Sequence, residues 1–336
     1  MNINIKIILS LVMLLIITSE GLSQNVKLAQ SGMKFLSIAG DARAASLANA
    51  VTSVEGNSSS LFYNPASVSR QTSMFDFTFA NTSWIADIKY INSALTFVPS
   101  DGLYGVFGVS VVSVDYGDFY KTIIGPDGGS MDIGTYSPTA LAIGVSYAKA
   151  LSDKFSVGGD IRYVYQNYGD GHVVGGDYDN METEKIDIDV FAFDFGVIYK
   201  TGFKSLNLGM SLRNLSSEIK FVDESFQLPL TFKLGLSMNM LDLFEIDPES
   251  HSVLFSVDAE HPRDNKEILS FGTEYTFMKL LSLRAGFVTP KTNEAGIHAG
   301  IGLQHEIGGV NLGINYAYTE FGIFDSIHRI TINIAY

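Results

Sequence analysis

The chain has 336 residues, 46% of them hydrophobic but only 17% charged, with no cysteine and a formal net charge of −14. The missing cysteines exclude disulfides and thiolate catalysis or metal binding, and the acidity argues against a nucleic-acid partner, which needs a basic footprint. Gly 32 and 12% aromatic residues beside so few charges fit a membrane barrel better than a soluble domain.

Residues 1–23 read as an export signal. Lys6 supplies the positive start, Ile7 to Ile17 is apolar apart from Ser10, and Gly21-Leu22-Ser23 offers small residues before Gln24. The run is too short for a spanning helix, and nothing downstream approaches the roughly 20 consecutive apolar residues that one requires. Cleavage after Ser23 removes Lys6 and Glu20 together, so the charge of −14 is unchanged.

Residues 24–70 do not alternate, and Ala39 to Ala50 is rich in small side chains. A barrel of about fourteen strands is wider than the filled interior of about eight strands and narrower than the channel of 16 to 18. An alanine-rich segment that packs closely against strand backbones would occupy that space, so 24–70 reads as an N-terminal plug inside the lumen; the alternative is a flexible periplasmic tail. Pro65 fixes its own backbone and biases Asn64 towards extended geometry, which suits a turn from plug to first strand. Arg43 is a cation expected in a polar lumen, with Asp160 or Asp194 as candidate wall partners unless those acids are simply solvated.

Residues 71–336 read as one antiparallel transmembrane β-barrel, an all-β fold. Period-two segments fall at 73–81, 86–98, 103–115, 139–150, 154–167, 187–201 and 204–216, then at 228–240, 251–260, 266–278, 280–289, 294–306, 309–318 and 327–336. Leu141, Ile143, Val145 and Tyr147 oppose Ala142, Gly144, Ser146 and Ala148, and Leu206, Leu208, Met210 and Leu212 oppose Asn207, Gly209, Ser211 and Arg213. A soluble barrel or sandwich would carry Lys and Glu on its polar face, whereas this face is Gly, Ser, Asn, Thr and Ala. The apolar face is therefore expected to meet lipid, with Tyr116, Phe119, Tyr163, Tyr165, Tyr199, Phe203, Tyr316 and Tyr318 as interfacial girdles. A soluble sandwich core is the competing explanation.

Short turns such as Pro99-Ser100-Asp101-Gly102 and Leu151-Ser152-Asp153-Lys154 alternate with long connections at 116–138, 168–186 and 217–227, the asymmetry of bacterial barrels. One junction, Leu241 to Ser252, is long on the short side. The acids Asp170, Asp177, Asp179, Glu182, Glu184 and Asp187 read as a solvated external loop; as Ca²⁺ ligands they miss the EF-hand spacing. The last strand, Ile330, Ile332, Ile334 and Tyr336, ends on an aromatic that serves as the C-terminal signal to the barrel-assembly machinery.

Catalytic chemistry is not expected. The six histidines form no i, i+4 helical pair, no G-x-S-x-G elbow occurs, and Gly169-Asp170-Gly171 lies between strands rather than at a helix start. No cofactor or metal is assigned.

Gly40-Asp41-Ala42-Arg43-Ala44-Ala45, followed by Ser58-Ser59-Ser60-Leu61-Phe62-Tyr63-Asn64-Pro65-Ala66, resembles the N-terminal signature of the PorV/PorQ family, which is similar to FadL-type fatty-acid-transporter barrels. Ser46-Leu47-Ala48-Asn49 departs from the Gly-Met-Gly-Gly run common in relatives, and Tyr63 replaces a frequent Trp. The resemblance implies that Gly40, Ala42 and Arg43 lie in the hatch and that Asn64, Pro65 and Ala66 lie where the hatch meets the wall. It further implies an accessory or shuttle subunit of type IX secretion, in the outer membrane of a Gram-negative bacterium, meeting cargo or secretion components through its external rim. The FadL likeness implies instead passive uptake of a hydrophobic small molecule, and a generic structural barrel is a third reading.

Overall fold

Alternation of large apolar and small polar residues closes the chain on itself. The computed structural model describes residues 31–125, 128–169, 172–177, 180–221, 224–244, 246, 250–290 and 296–336. Residues 1–23, expected as an export signal, residues 24–30 of the expected plug, and Asp170 and Asp179 of the acidic loop lie outside the described residues.

The strands are β1 Phe75–Ser83, β2 Lys89–Phe97, β3 Val106–Asp115, β4 Phe119–Ile124, β5 Ser130–Tyr136, β6 Thr139–Ala150, β7 Phe155–Asn167, β8 His172–Asp177, β9 Asn180–Glu184 and β10 Asp187–Lys200. They continue as β11 Asn207–Ser216, β12 Ile219–Phe221, β13 Glu224–Phe226, β14 Thr231–Asn239, β15 His251–Pro262, β16 Ile268–Phe277, β17 Leu281–Thr289, β18 His298–Ile307, β19 Val310–Thr319 and β20 Ile327–Ala335. Among the described residues fourteen of them, all but β4, β5, β8, β9, β12 and β13, form one closed antiparallel barrel in sequence order. The seam is β1 against β20, with Phe79 opposite Ile332, and Phe75 and Tyr336 exchange two backbone hydrogen bonds of 2.9 Å. Tyr336 thus ends the chain at the seam, its side chain exposed.

The face assignment follows from burial. On β6, Ile143, Val145 and Tyr147 are exposed while Ala142, Ser146 and Ala148 are buried, and the same inversion recurs around the ring. Large apolar side chains point outwards and compact ones inwards, the reverse of a soluble protein. Rings pair across outward faces near the ends, including Phe75 with Phe97 at 5.0 Å and Tyr163 with Phe191 at 5.6 Å. Tyr116 differs from its expected girdle place: it packs against the buried inner cluster.

Two departures have physical causes. The long connections carry β4–β5, β8–β9 and β12–β13, two-stranded ribbons that local alternation in short polar stretches did not announce. The alternation of β11 breaks at Asn214, whose φ of 62° belongs to a register shift opposite β10, so Arg213 and Asn214 are both largely buried. The bulge lets the Asn214 backbone N–H reach Asp194 at 2.7 Å. The long junction between β14 and β15 stays at the short-turn end and begins with a 3-10 turn, Met240–Leu243, so the strand count there is correct.

Val145 sits in mid-strand on the outward face, 64% exposed. V145R is expected to lower folding stability in lipid vesicles by about 2–4 kcal/mol, whereas Y120R on the β4 ribbon should stay within about 0.5 kcal/mol. Denaturant titration in the same vesicles measures both, and equal effects would contradict the outward-to-lipid assignment.

Candidate functional site

The segment ahead of β1 runs from one rim to the other. At the long-loop end, Ser31 and Lys34 both bond Asp264, in the connection between β15 and β16, and Gly32 N–H donates to the Gln227 carbonyl at 3.1 Å. Burial would raise the Asp264 carboxyl, but the hydrogen bonds and charge supplied by Lys34 and Ser31 outweigh it and hold it below its ordinary value. At the short-turn end, Arg70 donates to the Ser152 carbonyl at 2.6 Å and faces Glu55, which pairs with Lys200 at 2.8 Å.

Between these anchors the segment lies against the inward faces of the strands, and glycine permits the approach. Gly158 and Gly196 stand opposite each other on β7 and β10, and there Asn64, Pro65 and Ala66 rest. A Cβ at Gly196 would fall 1.8 Å from Asn64 Oδ1, and one at Gly158 would fall 2.5 Å from the Pro65 and Ala66 backbone. The same pairing recurs at Gly209 and Gly235 beneath Thr52 and Ser53, and at Gly272 and Gly286 beneath Leu47 and Ala48.

Asn64 is fully buried, and every part of its amide is used. Its Nδ2 donates to the carbonyls of Thr52 at 2.6 Å and Val197 at 3.2 Å, while Oδ1 accepts from Ala66 N–H and caps the 3-10 turn Pro65–Val68. Pro65 occupies the first helical position, where its missing N–H costs nothing.

The other half of the motif is a one-turn helix, Ala42–Ser46, capped by Asp41. The Tyr63 hydroxyl accepts from the Gly40 and Asp41 N–H groups at 2.8 and 3.1 Å and donates to Asp41 Oδ1 at 2.7 Å. Burial, then the charge of Asp41, push this phenol well above its ordinary value, so it remains a donor. Ala42 N–H donates to Thr331 Oγ1 on β20 at 2.9 Å.

Arg43 binds Glu274 on β16 through two bonds, Nε to Oε2 at 3.0 Å and Nη2 to Oε1 at 2.7 Å. The expected partners Asp160 and Asp194 are engaged elsewhere: Arg162 lies 3.3 Å from Asp160 and 2.7 Å from Asp194, and Arg213 lies 3.5 Å from Asp194. The acid on the inward face of β16, between Gly272 and Thr276, was the available signal for Glu274. Its charge lifts the Arg43 guanidinium above its ordinary value in spite of burial. Arg284 on β17 shares the same carboxylate and donates to Asn315 at 2.8 Å; Asn315 continues to Asn333 at 3.0 Å and Asn333 to Thr78 at 2.7 Å. Ser58 meets Thr78 at 2.7 Å, so a chain of polar bonds crosses the β20–β1 seam and returns to the segment.

Two cavities among the described residues flank the segment at opposite ends of the barrel. One of about 390 Å³ at the short-turn end is lined by Arg43, Glu274, Arg284 and Asn315, and one of about 290 Å³ at the long-loop end is lined by Trp84, His298, Phe321 and Arg329. Asp41 and Arg43 border the first and Ala39 and Ala45 the second, so one turn of chain stands between them.

The family model described as "Type IX secretion system protein PorV" matches residues 22–249. Among solved structures the barrel is similar to a mutant of the TodX monoaromatic hydrocarbon channel, at TM-score 0.56 and 12% identity over 88% of this chain and 97% of that one. It is also similar to a Pseudomonas aeruginosa FadL homologue, at TM-score 0.52 and 13% identity over 88% and 98% of the two chains. The Pseudomonas putida toluene transporter TodX follows at 0.51 and 14%, over 84% and 96%. These likenesses establish the fold. Among curated proteins none matches the chain.

With its side chain 28% exposed, Arg43 sits at the low end for a buried pair, so R43M is expected to weaken the seating of the segment by about 3 kcal/mol. Limited proteolysis of the folded barrel should then cut within residues 31–72 while heat-modifiable migration persists. Unchanged protection would show that the Glu274 pair does not hold the segment.

Proposed function

This chain belongs to the PorV family of type IX secretion system proteins, and we propose that it serves there as an accessory or shuttle subunit in the outer membrane of a Gram-negative bacterium. On this reading residues 1–23 are an export signal removed after Ser23, residues 24–70 are a plug, and residues 71–336 are the barrel. Gly40, Ala42, Arg43, Asn64, Pro65 and Ala66 seat the plug, and Tyr336 is the signal read by the barrel-assembly machinery. Lipid covers the outward face.

The observation that carries the secretion role is the family match across residues 22–249, joined to a segment that bonds or packs against every barrel strand. A lumen occupied in this way favours binding at the rim over conduction through the centre. The long-loop end offers a surface for polypeptide partners: Tyr120 and Ile124 on β4 are exposed, and Ile323 between β19 and β20 is 94% exposed. The role is one of binding and delivery, not catalysis.

The second reading, passive uptake of a hydrophobic small molecule, draws on the long-loop cavity and its Trp84, Phe321 and Ile327 lining.

Deletion of the gene from its host is expected to abolish surface delivery of carboxy-terminally tagged cargo and to leave growth on hydrophobic substrates unchanged. Intact delivery with lost growth on such a substrate would refute the secretion role and support uptake.

A further inference from the structure

The long-loop cavity has a charge imbalance that the fold does not use. Lys34, Arg213, Lys233 and Arg329 line it against two acids, Glu260 and Asp264, in a protein whose net charge is −14. Both acids are taken, Glu260 by Lys233 at 2.7 Å and Asp264 by Lys34, while Arg213 faces Asp194.

Arg329 is different. It is 3% exposed, its Nη1 donates to Thr319 Oγ1 at 3.1 Å, and its Nε has no acceptor among the described residues. No carboxylate pairs with it there; its guanidinium lies 5.4 Å from the Trp84 ring. His298 lines the same cavity, its Nδ1–H donating to the Ala45 carbonyl at 2.9 Å, which leaves Nε2 an acceptor with no partner among the described residues. A buried guanidinium with no carboxylate in ion-pair contact carries a desolvation cost, which a ligand carboxylate relieves.

The apolar part of the site adjoins it. Trp84 and Phe321 meet edge to face at 5.1 Å, and Phe321 contacts Phe324, whose neighbour Ile323 stands almost fully in solvent. An anion alone would not need this wall. A hydrocarbon alone would leave the guanidinium unpaired.

We propose that this cavity binds an acidic side chain carried next to an aromatic one on a partner polypeptide, the carboxylate meeting Arg329 and the ring resting on Trp84 and Phe321. The polypeptide source rests on the secretion reading; the carboxylate chemistry rests on the cavity itself.

Trp84 is the only tryptophan of the chain, so its emission reports on this site. The full-length protein in detergent micelles is titrated with an acetylated, amidated tetrapeptide containing aspartate before phenylalanine, with its asparagine isostere, and with phenylacetate. The proposal expects saturable change with the acidic peptide, binding at least about tenfold weaker for the isostere, and loss of that preference in R329Q. R329K, which keeps the charge, is expected to recover part of the preference, and the wild-type comparison of the two peptides stands even if R329Q fails to fold. Equal binding of acidic and neutral peptides, or no binding of either, would overturn the proposal. Phenylacetate binding without peptide binding would overturn the polypeptide source in favour of a free acid. Binding is read on the purified protein, so it is separate from the deletion phenotype: a host that still delivers cargo refutes the secretion role without touching the carboxylate preference.

Discussion

The close approach of one polypeptide segment to the inner wall is the constraint on which the rest of the structure depends. Cross-strand glycine pairs at 158 and 196, 209 and 235, and 272 and 286 let the segment lie directly on strand backbone. Any side chain there would lift it off the wall. The same constraint explains why the inward face is built from Gly, Ser, Ala and Asn, and why large side chains are left to the outside. Outward apolarity and inward smallness are two consequences of a barrel that must hold a second layer of chain within and meet lipid without.

Electrostatics then fix where the segment sits. A carboxylate on an inner wall is costly unless its lone pairs are filled, and Glu274 is filled by Arg43 from the segment and Arg284 from the wall. The second inner cluster, Asp160, Asp194, Arg162 and Arg213, is complete within the wall and sits at the β11 bulge. One cluster ties segment to wall, and the other ties strand to strand. Arg329 belongs to neither, which is why the long-loop cavity differs in kind from the short-turn one.

The barrel was legible because period-two alternation is set by strand geometry and repeats many times; observed strand ends depart from the expected ones by only a few residues. The seating motif was legible in part: Asn64 and Pro65 announce a capped turn from their own chemistry, and the family resemblance located it. Arg43 announced a charge without its partner, since Glu274 is 231 residues away and the wall acids Asp76, Asp160, Asp194 and Asp258 competed for the role. Tyr63 and the opposed glycines were not legible, because their meaning depends on cross-strand register and on a contact between distant segments. The ribbon β4–β5 escaped for a simpler reason: it buries little, so its pattern is weak.

The absence of cysteine from the chain makes a direct measurement available. Ser53 and Ser237 meet through a hydroxyl-to-carbonyl bond of 3.0 Å, with both residues buried. Cysteines introduced at these two positions stand on segment and wall residues in direct contact, and a disulfide between them requires that contact. In native outer membranes S53C/S237C is expected to form an intrachain disulfide under mild oxidation, read by mass spectrometry of the digested protein, while single variants remain free thiols. Two free thiols that label readily from solution, with no crosslink, would contradict a segment seated on the inner wall.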